Sequence, residues 1–137
     1  MKVLMIYCKH FGYQPTIKTL DMADENAKAG TFQNIQVAFI QVEEEDMEKE
    51  GEVAKKLLKN LKWICGKNET NKRIVLHSFA HLSESKATPE FTKDFFNKID
   101  ARLTNSGYEV FQTPFGYFLD LQVDAPGFSL ARVFKSL

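Results

Sequence analysis

Cysteine is scarce in this chain, and the two present, Cys8 and Cys65, form no CxxC pair. That excludes a disulfide scaffold or a zinc ribbon, and both thiols read as small core residues. Histidine is nearly as sparse, three in all, with no acidic pattern converging on them, so no metal and no cofactor is expected. No apolar run spans a bilayer; the one nearest the start covers only Val3 to Tyr7. The longer apolar segment and small-residue cleavage site of a signal peptide are missing too, which predicts a cytoplasmic protein without a membrane partner. Charge of neither sign is in excess, since 18 basic and 18 acidic residues cancel. A protein that clamps a long duplex needs a basic surface, so that mode is disfavoured, while docking a nucleic-acid end in a small pocket stays open. A neutral total also eases self-association. No Gly-rich phosphate loop follows the first apolar run, which argues against Rossmann and P-loop nucleotide folds.

What is present fits one globular domain, residues 1–137, with 44% hydrophobic and 26% charged residues. Val3–Cys8 and Ile35–Val42 are near-continuous apolar runs, as in strands covered on both faces. Between them, Lys9–Gln14 reads as a polar bend at Gly12, Thr16–Leu20 as a short edge strand and Asp21–Thr31 as a loop. The acidic run Glu43–Glu52 reads as a solvated lead into a helix. That helix carries Val53, Ala54, Leu57, Leu58, Leu61, Ile64 and Cys65 on one stripe, with Trp63 off it. Thr88-Pro89-Glu90 opens a second helix, with Thr as N-cap and Pro at its first position. Phe91, Phe95, Ile99 and Leu103 repeat along it, and Gly107 closes it. Tyr108–Phe111 and Tyr117–Val123 read as strands, and Leu130–Phe134 as a short terminal helix. The expected fold is α/β, a mixed and largely antiparallel sheet with helices packed on it.

The stretch of most chemical interest is His77–Ser85, with two of the three histidines. A short strand, Ile74–Leu76, runs into it, and a polar loop at a strand end is where a scaffold presents reactive groups. On the residues alone, a strand end with a capping Ser/Thr segment before the next helix is the favoured explanation of the stretch. His77 and His10 read as structural or exposed histidines.

Phe79-Ala80-His81-Leu82-Ser83, with Lys86-Ala87-Thr88-Pro89 opening a helix, resembles the FAHLSS…KP motif of the archaeal threonyl-tRNA synthetase editing domain. Gly107-Tyr108-Glu109-Val110 followed by Thr113-Pro114-Phe115-Gly116-Tyr117 resembles that family's second motif, G-[FY]-x-V-x-x-x-PFGY. The opening Met1–Ile6 and the central Val37–Glu43 match in kind and order, so the resemblance spans almost the whole chain. It implies a D-aminoacyl-tRNA deacylase-like fold, a homodimer, and hydrolysis of serine wrongly attached to threonine tRNA. No metal and no covalent nucleophile are implied; the terminal 2′-hydroxyl of the tRNA assists the attacking water. Serine and threonine differ by one methyl, worth only ~1–3 kcal/mol of discrimination, so a synthetase needs a second sieve.

Carried over residue by residue, the resemblance makes His81 the catalytic candidate. It places Val42, Phe79, Ala80, Phe115, Gly116 and Tyr117 around the 3′-terminal aminoacyl-adenosine of the tRNA. Leu119 and Arg132 stand where the family has a lysine and a glutamate, and Tyr7-Cys8-Lys9 where it has His-Ser-Asp. Those replacements keep two alternatives in view. One is a catalytically degenerate RNA-end-binding or dimerisation module of the same fold; the other is a deacylase for another aminoacyl-tRNA. A synthetase catalytic body, in cis or in trans, is the further partner implied.

Overall fold

A computed structural model describes residues 1–137, and its framework is a six-stranded sheet ordered β4-β3-β2-β1-β5, with β6 also paired to β1. The strands are β1 (Lys2–Lys18), β2 (Gly30–Gln41), β3 (Arg73–Ser78), β4 (Glu109–Gln112), β5 (Tyr117–Asp124) and β6 (Arg132–Ser136). Helix α1 (Glu50–Lys67) connects β2 to β3 and helix α2 (Pro89–Asn105) connects β3 to β4. Both connections join parallel neighbours, whereas β1 meets β2, β5 and β6 antiparallel. The sheet is therefore mixed, as a β-α-β crossover on each side of β3 requires.

Both helices cover one face. The seven stripe residues of α1 are its buried residues. They meet Phe95, Phe96, Ile99 and Leu103 of α2 over Met1, Val3, Met5, Ala38, Ile40, Val42, Ile74 and Leu76 of the sheet. Thr88 caps α2, its hydroxyl accepting from the Phe91 N–H at 3.2 Å, and Gly107 follows the helix at φ +88°.

The opposite face is covered by the sheet itself. In β1 and β2 the in–out alternation changes phase at Lys9 and Asn34, where Asn34 takes a left-handed φ of +50°. Beyond that point the paired strands curl over, and Phe11 arrives above β2 and β3. Its ring centroid lies 6.3 Å from that of Phe39 and 6.4 Å from that of His77, both edge-on. Phe32 reaches Phe111 of β4 at 4.7 Å. Cys8, Ile35, Val37 and Val75 complete this second core. Cys8 and Cys65 are free and buried, and burial pushes both thiols up to about 11.

Three expectations are corrected. Gly12 makes no bend: it lies inside the 17-residue β1, and the expected edge strand at Thr16–Leu20 is largely that strand's far end. The chain ends in β6 rather than in a helix; only Ser129–Ala131 makes a helical turn before it. The acidic run is not wholly solvated, because Glu43 and Asp46 are buried against the Met1 ammonium at 2.6 and 3.1 Å.

Candidate functional site

The parallel strands β2 and β3 end side by side, and the groups beyond their carboxyl ends form the candidate site. The segment Phe79–Thr88 leaves β3 there, tied back to β2 by the Phe79 N–H on the Ile40 carbonyl (3.0 Å) and the Ala87 N–H on the Val42 carbonyl (3.0 Å). Between those ties one side chain shapes the loop. Gln41 Nε2 donates to the carbonyls of Ser83 (2.7 Å) and Ser85 (2.8 Å), while its Oε1 accepts from the N–H groups of Leu82 and Ser83, both at 2.7 Å. Every hydrogen-bonding position of the amide is used.

Glu43 supports the same loop from below. One carboxylate oxygen accepts from the Ser83 hydroxyl at 2.6 Å, and the other from the Met1 ammonium and from Lys2 Nζ (3.2 Å). Burial alone would raise its pKa, but the hydrogen bonds from Met1, Ser83 and Lys2 outweigh it and bring the carboxyl down to about 2.

With the loop held this way, two hollows open on either side of Ser78–Ala80. The first, about 140 Å³, is lined by Val42, Phe79, Ala80 and Phe115 together with Gln41 and Lys86. The second, about 230 Å³, is lined by Phe79, Ala80, His81, Tyr117 and Leu119, with His77 at its floor. Lys86 is the only charged side chain lining the first hollow and takes part in no ion pair. His81 is exposed, with its ring 5.0 Å from that of Phe79. The backbone N–H groups of Ala80 and His81 donate to nothing within the protein, so the clamped loop carries two consecutive free donors.

The turn Thr113–Gly116 brings Phe115 to the first hollow and Tyr117 to the second. Gly116 has φ +82°, and a Cβ there would stand 2.8 Å from that of Ala23, so both backbone and space call for glycine. Its carbonyl accepts from the Thr19 N–H at 2.7 Å, and the Tyr117 hydroxyl donates to the Asp24 carbonyl at 2.5 Å.

The sequence matches the family described as the archaea-specific editing domain of threonyl-tRNA synthetase over residues 1–137. The chain belongs to that family. Curated relatives include the threonine–tRNA ligases of Thermofilum pendens, 30% identical over 142 residues, and of Thermococcus sibiricus, 29% identical over 140 residues. In each case the match covers 100% of this chain and 22% of the relative, so the chain spans about a fifth of their length. Among solved structures, the c-Myc DNA unwinding element binding protein superposes with a TM-score of 0.72 at 11% identity, covering 100% of this chain and 99% of that one. At that identity the likeness is one of fold.

The editing-domain motifs thus converge in space, though Gly116 and Arg132 line neither hollow. Leu119 lines the second hollow, and Phe118 stands at its rim, 62% exposed, without filling it. Arg132 lies on β6, exposed, with Nη1 donating to the Pro126 carbonyl at 3.1 Å, and lines neither hollow. Gln41, Glu43 and Lys86 were not singled out as site residues from sequence.

His77 is structural. It is buried among Phe39, Phe79 and Phe11, its Nδ1 is 2.9 Å from Thr113 Oγ1, and burial lowers its pKa to about 4 from 6.5. The unfolded chain takes up this proton near pH 6.5 and the folded one only near 4, so stability falls as pH drops through that window. Glu43 acts with the same sign at lower pH: its carboxylate, favoured in the fold, is lost as pH falls from 4.5 towards 2. Urea titrations are expected to show a decline beginning below pH 6.5 and reaching about 3 kcal/mol from His77. His77→Gln flattens that limb and leaves the acid one; an unchanged upper limb would refute the assignment.

Proposed function

We propose that this chain is an aminoacyl-tRNA editing hydrolase that removes serine from mischarged threonine tRNA. Membership of the editing-domain family supports this, and the observation that carries it is the clamped loop with two free N–H groups between two open hollows. The aminoacyl group enters the hollow walled by Val42, Ala80 and Phe115, while Tyr117 and Phe79 flank the terminal nucleoside in the other. Water adds to the ester carbonyl, and the amide groups of Ala80 and His81 meet the oxyanion that develops. The bond from the carbonyl carbon to the ribose oxygen then breaks, releasing serine and a tRNA with its terminal hydroxyl restored. His81 holds the ribose or the water, and the neighbouring 2′-hydroxyl assists the attack. Lys86 supplies the one positive charge of the first hollow. A homodimer and a synthetase catalytic body, in cis or in trans, belong to the same reading; exposed Ile17, Phe118 and Phe134 offer them apolar surface. So does a cytoplasmic location.

A second reading, a binding module that has lost the chemistry, rests on Leu119 in the second hollow where the family carries lysine. One assay separates the two. Purified protein is mixed with seryl-tRNA and threonyl-tRNA, and ester loss is followed beside Lys86→Met and Leu119→Lys. The editing reading expects preferential loss of serine, reduced about 10- to 100-fold by Lys86→Met. Hydrolysis that appears only in Leu119→Lys supports the decayed module. No hydrolysis by any of the proteins sinks the editing proposal.

A further inference from the structure

The neutral charge total conceals a strong polarity along α1. From Lys55 to its end at Lys67 the helix carries five lysines and no acid. We infer that the solvent face of α1, with Lys135 of β6, docks the phosphate backbone of the RNA whose 3′ end reaches the hollows at the β2 and β3 ends. This rests on the deacylase reading for the identity of the RNA, but the surface is argued from its own residues.

Lys56, Lys59 and Trp63 follow one another at i, i+3 and i+7, so they share one face of the helix. With Lys135 they line a hollow of about 510 Å³. Lys59 and Lys135 form no ion pair, and Lys56 has only Glu52 on its own helix at 3.0 Å. Lysines at i,i+3 and i,i+4, as in Lys56–Lys59 and Lys55–Lys59, repel one another and weaken a helix. Here Glu52 offsets only the Lys56 charge, and Lys59 and Lys135 are left unpaired, which fits a surface completed by an anion from outside. Trp63 is 40% exposed, whereas the other large apolar residues of α1 are buried. A flat indole among lysine ammonium groups suits a nucleic acid, which offers bases to stack and phosphates to pair; an acidic peptide uses only the second.

Position supports the same occupant. Lys2 pairs with Gln41 on one side and with Ser136 on the other, so Ser136 and the hollow-lining Gln41 lie in one row, two strand spacings or about 10 Å apart. Lys135 is opposite Val3, which points to the helix-bearing face, the side on which Val42 and Thr92 line the first hollow. The basic hollow and the first hollow of the candidate site therefore open at one end and on one face of the sheet.

The test measures binding of deacylated tRNA across a salt series, together with hydrolysis of seryl-adenosine, which lacks the RNA body. The proteins are wild type, the triple variant Lys56→Gln/Lys59→Gln/Lys135→Gln, and Trp63→Ala. The triple variant is expected to bind tRNA at least tenfold more weakly, with the slope of log K against log salt shallower by about 2–3. Trp63→Ala loses about fivefold or more with the slope retained, as a lost stack requires. Neither change alters seryl-adenosine hydrolysis or the unfolding midpoint by much, since all four side chains face solvent. Unchanged tRNA affinity and salt slope in the triple variant would overturn the docking surface even if the protein hydrolyses seryl-tRNA. Lysine-dependent tRNA binding by a protein that hydrolyses no ester would leave the surface standing and remove the deacylase reading.

Discussion

Gln41→Glu is expected to abolish ester hydrolysis, by at least a hundredfold, while leaving the sheet folded. The change is nearly isosteric, so its effect is electrostatic rather than steric. The amide nitrogen now donates to the Ser83 and Ser85 carbonyls at 2.7 and 2.8 Å; a carboxylate would point an oxygen at both. It would also sit in a buried position, 3% exposed, beside Glu43, with no cation of its own. An uncompensated charge in such a place costs on the order of 3–5 kcal/mol. The chain has a less costly response than unfolding, because Phe79–Thr88 can swing into water and let the carboxylate hydrate. Hydrogen exchange should therefore show the Leu82 and Ser83 amides losing protection while those of β1 and β2 keep theirs. The Ala80 and His81 amides would no longer be fixed relative to the hollows, and preorganised donors lose most of their value when they must reorganise. Gln41→Asn, too short to reach all four partners, should fall between. Undiminished hydrolysis in Gln41→Glu would show that the clamp does not position the site.

What could be read from the sequence followed the regularity of the local pattern. Both helices were legible because their apolar residues repeat at helical spacing against one sheet face, and the seven-residue stripe of α1 is its buried set. Strand β1 was legible only to Cys8. Past that point each strand keeps one face on the second core and turns the other outward, and the phase slips at Asn34, so Lys9–Gln14 reads as polar loop. Strand β6 has five residues, too few for alternation to tell it from a helical turn. The burial of Glu43 and Asp46 was invisible because their partner, the Met1 ammonium, lies 42 and 45 residues away. For the site, the resemblance singled out Val42, Phe79, Ala80 and Phe115, which the structure brings to one hollow, and His81 and Tyr117, which it brings to the other. The residues that hold the loop were not legible, since a glutamine at a strand end looks like any edge residue until the segment it binds is seen to fold back. Net charge is silent in the same way: a total of zero says nothing of how five lysines gather on α1 between Lys55 and Lys67.

Phe11→Ala tests the other support of the site, the curled half of the sheet, and should be the most destabilising single change considered. Phe11 has no exposed surface and fills the space between Phe39, His77 and Tyr13, with ring centroids 6.3, 6.4 and 6.3 Å away. Truncating such a ring removes its burial and leaves a cavity, a loss of about 3–5 kcal/mol. For a chain of this size that is roughly 10–20 °C in Tm. The residue also determines where β5 goes, because β5 pairs only with the far half of β1 and Phe11 faces Val123 in that ladder. When the far half lifts, Tyr117 and Leu119 move away from His81 and the second hollow widens. Hydrolysis should fall together with stability, and hydrogen exchange should rise throughout β1, β2 and β5 rather than in the Phe79–Thr88 loop alone. Phe11→Leu, which refills most of the space, should recover both. Comparison of the two variants then separates the two supports: Gln41→Glu loses activity with the sheet intact, and Phe11→Ala loses it because the sheet no longer closes over its second core. If Phe11→Ala kept full hydrolysis at a temperature where it is still folded, the second hollow would have no part in the reaction, and the chemistry would belong to the Val42–Phe115 side alone.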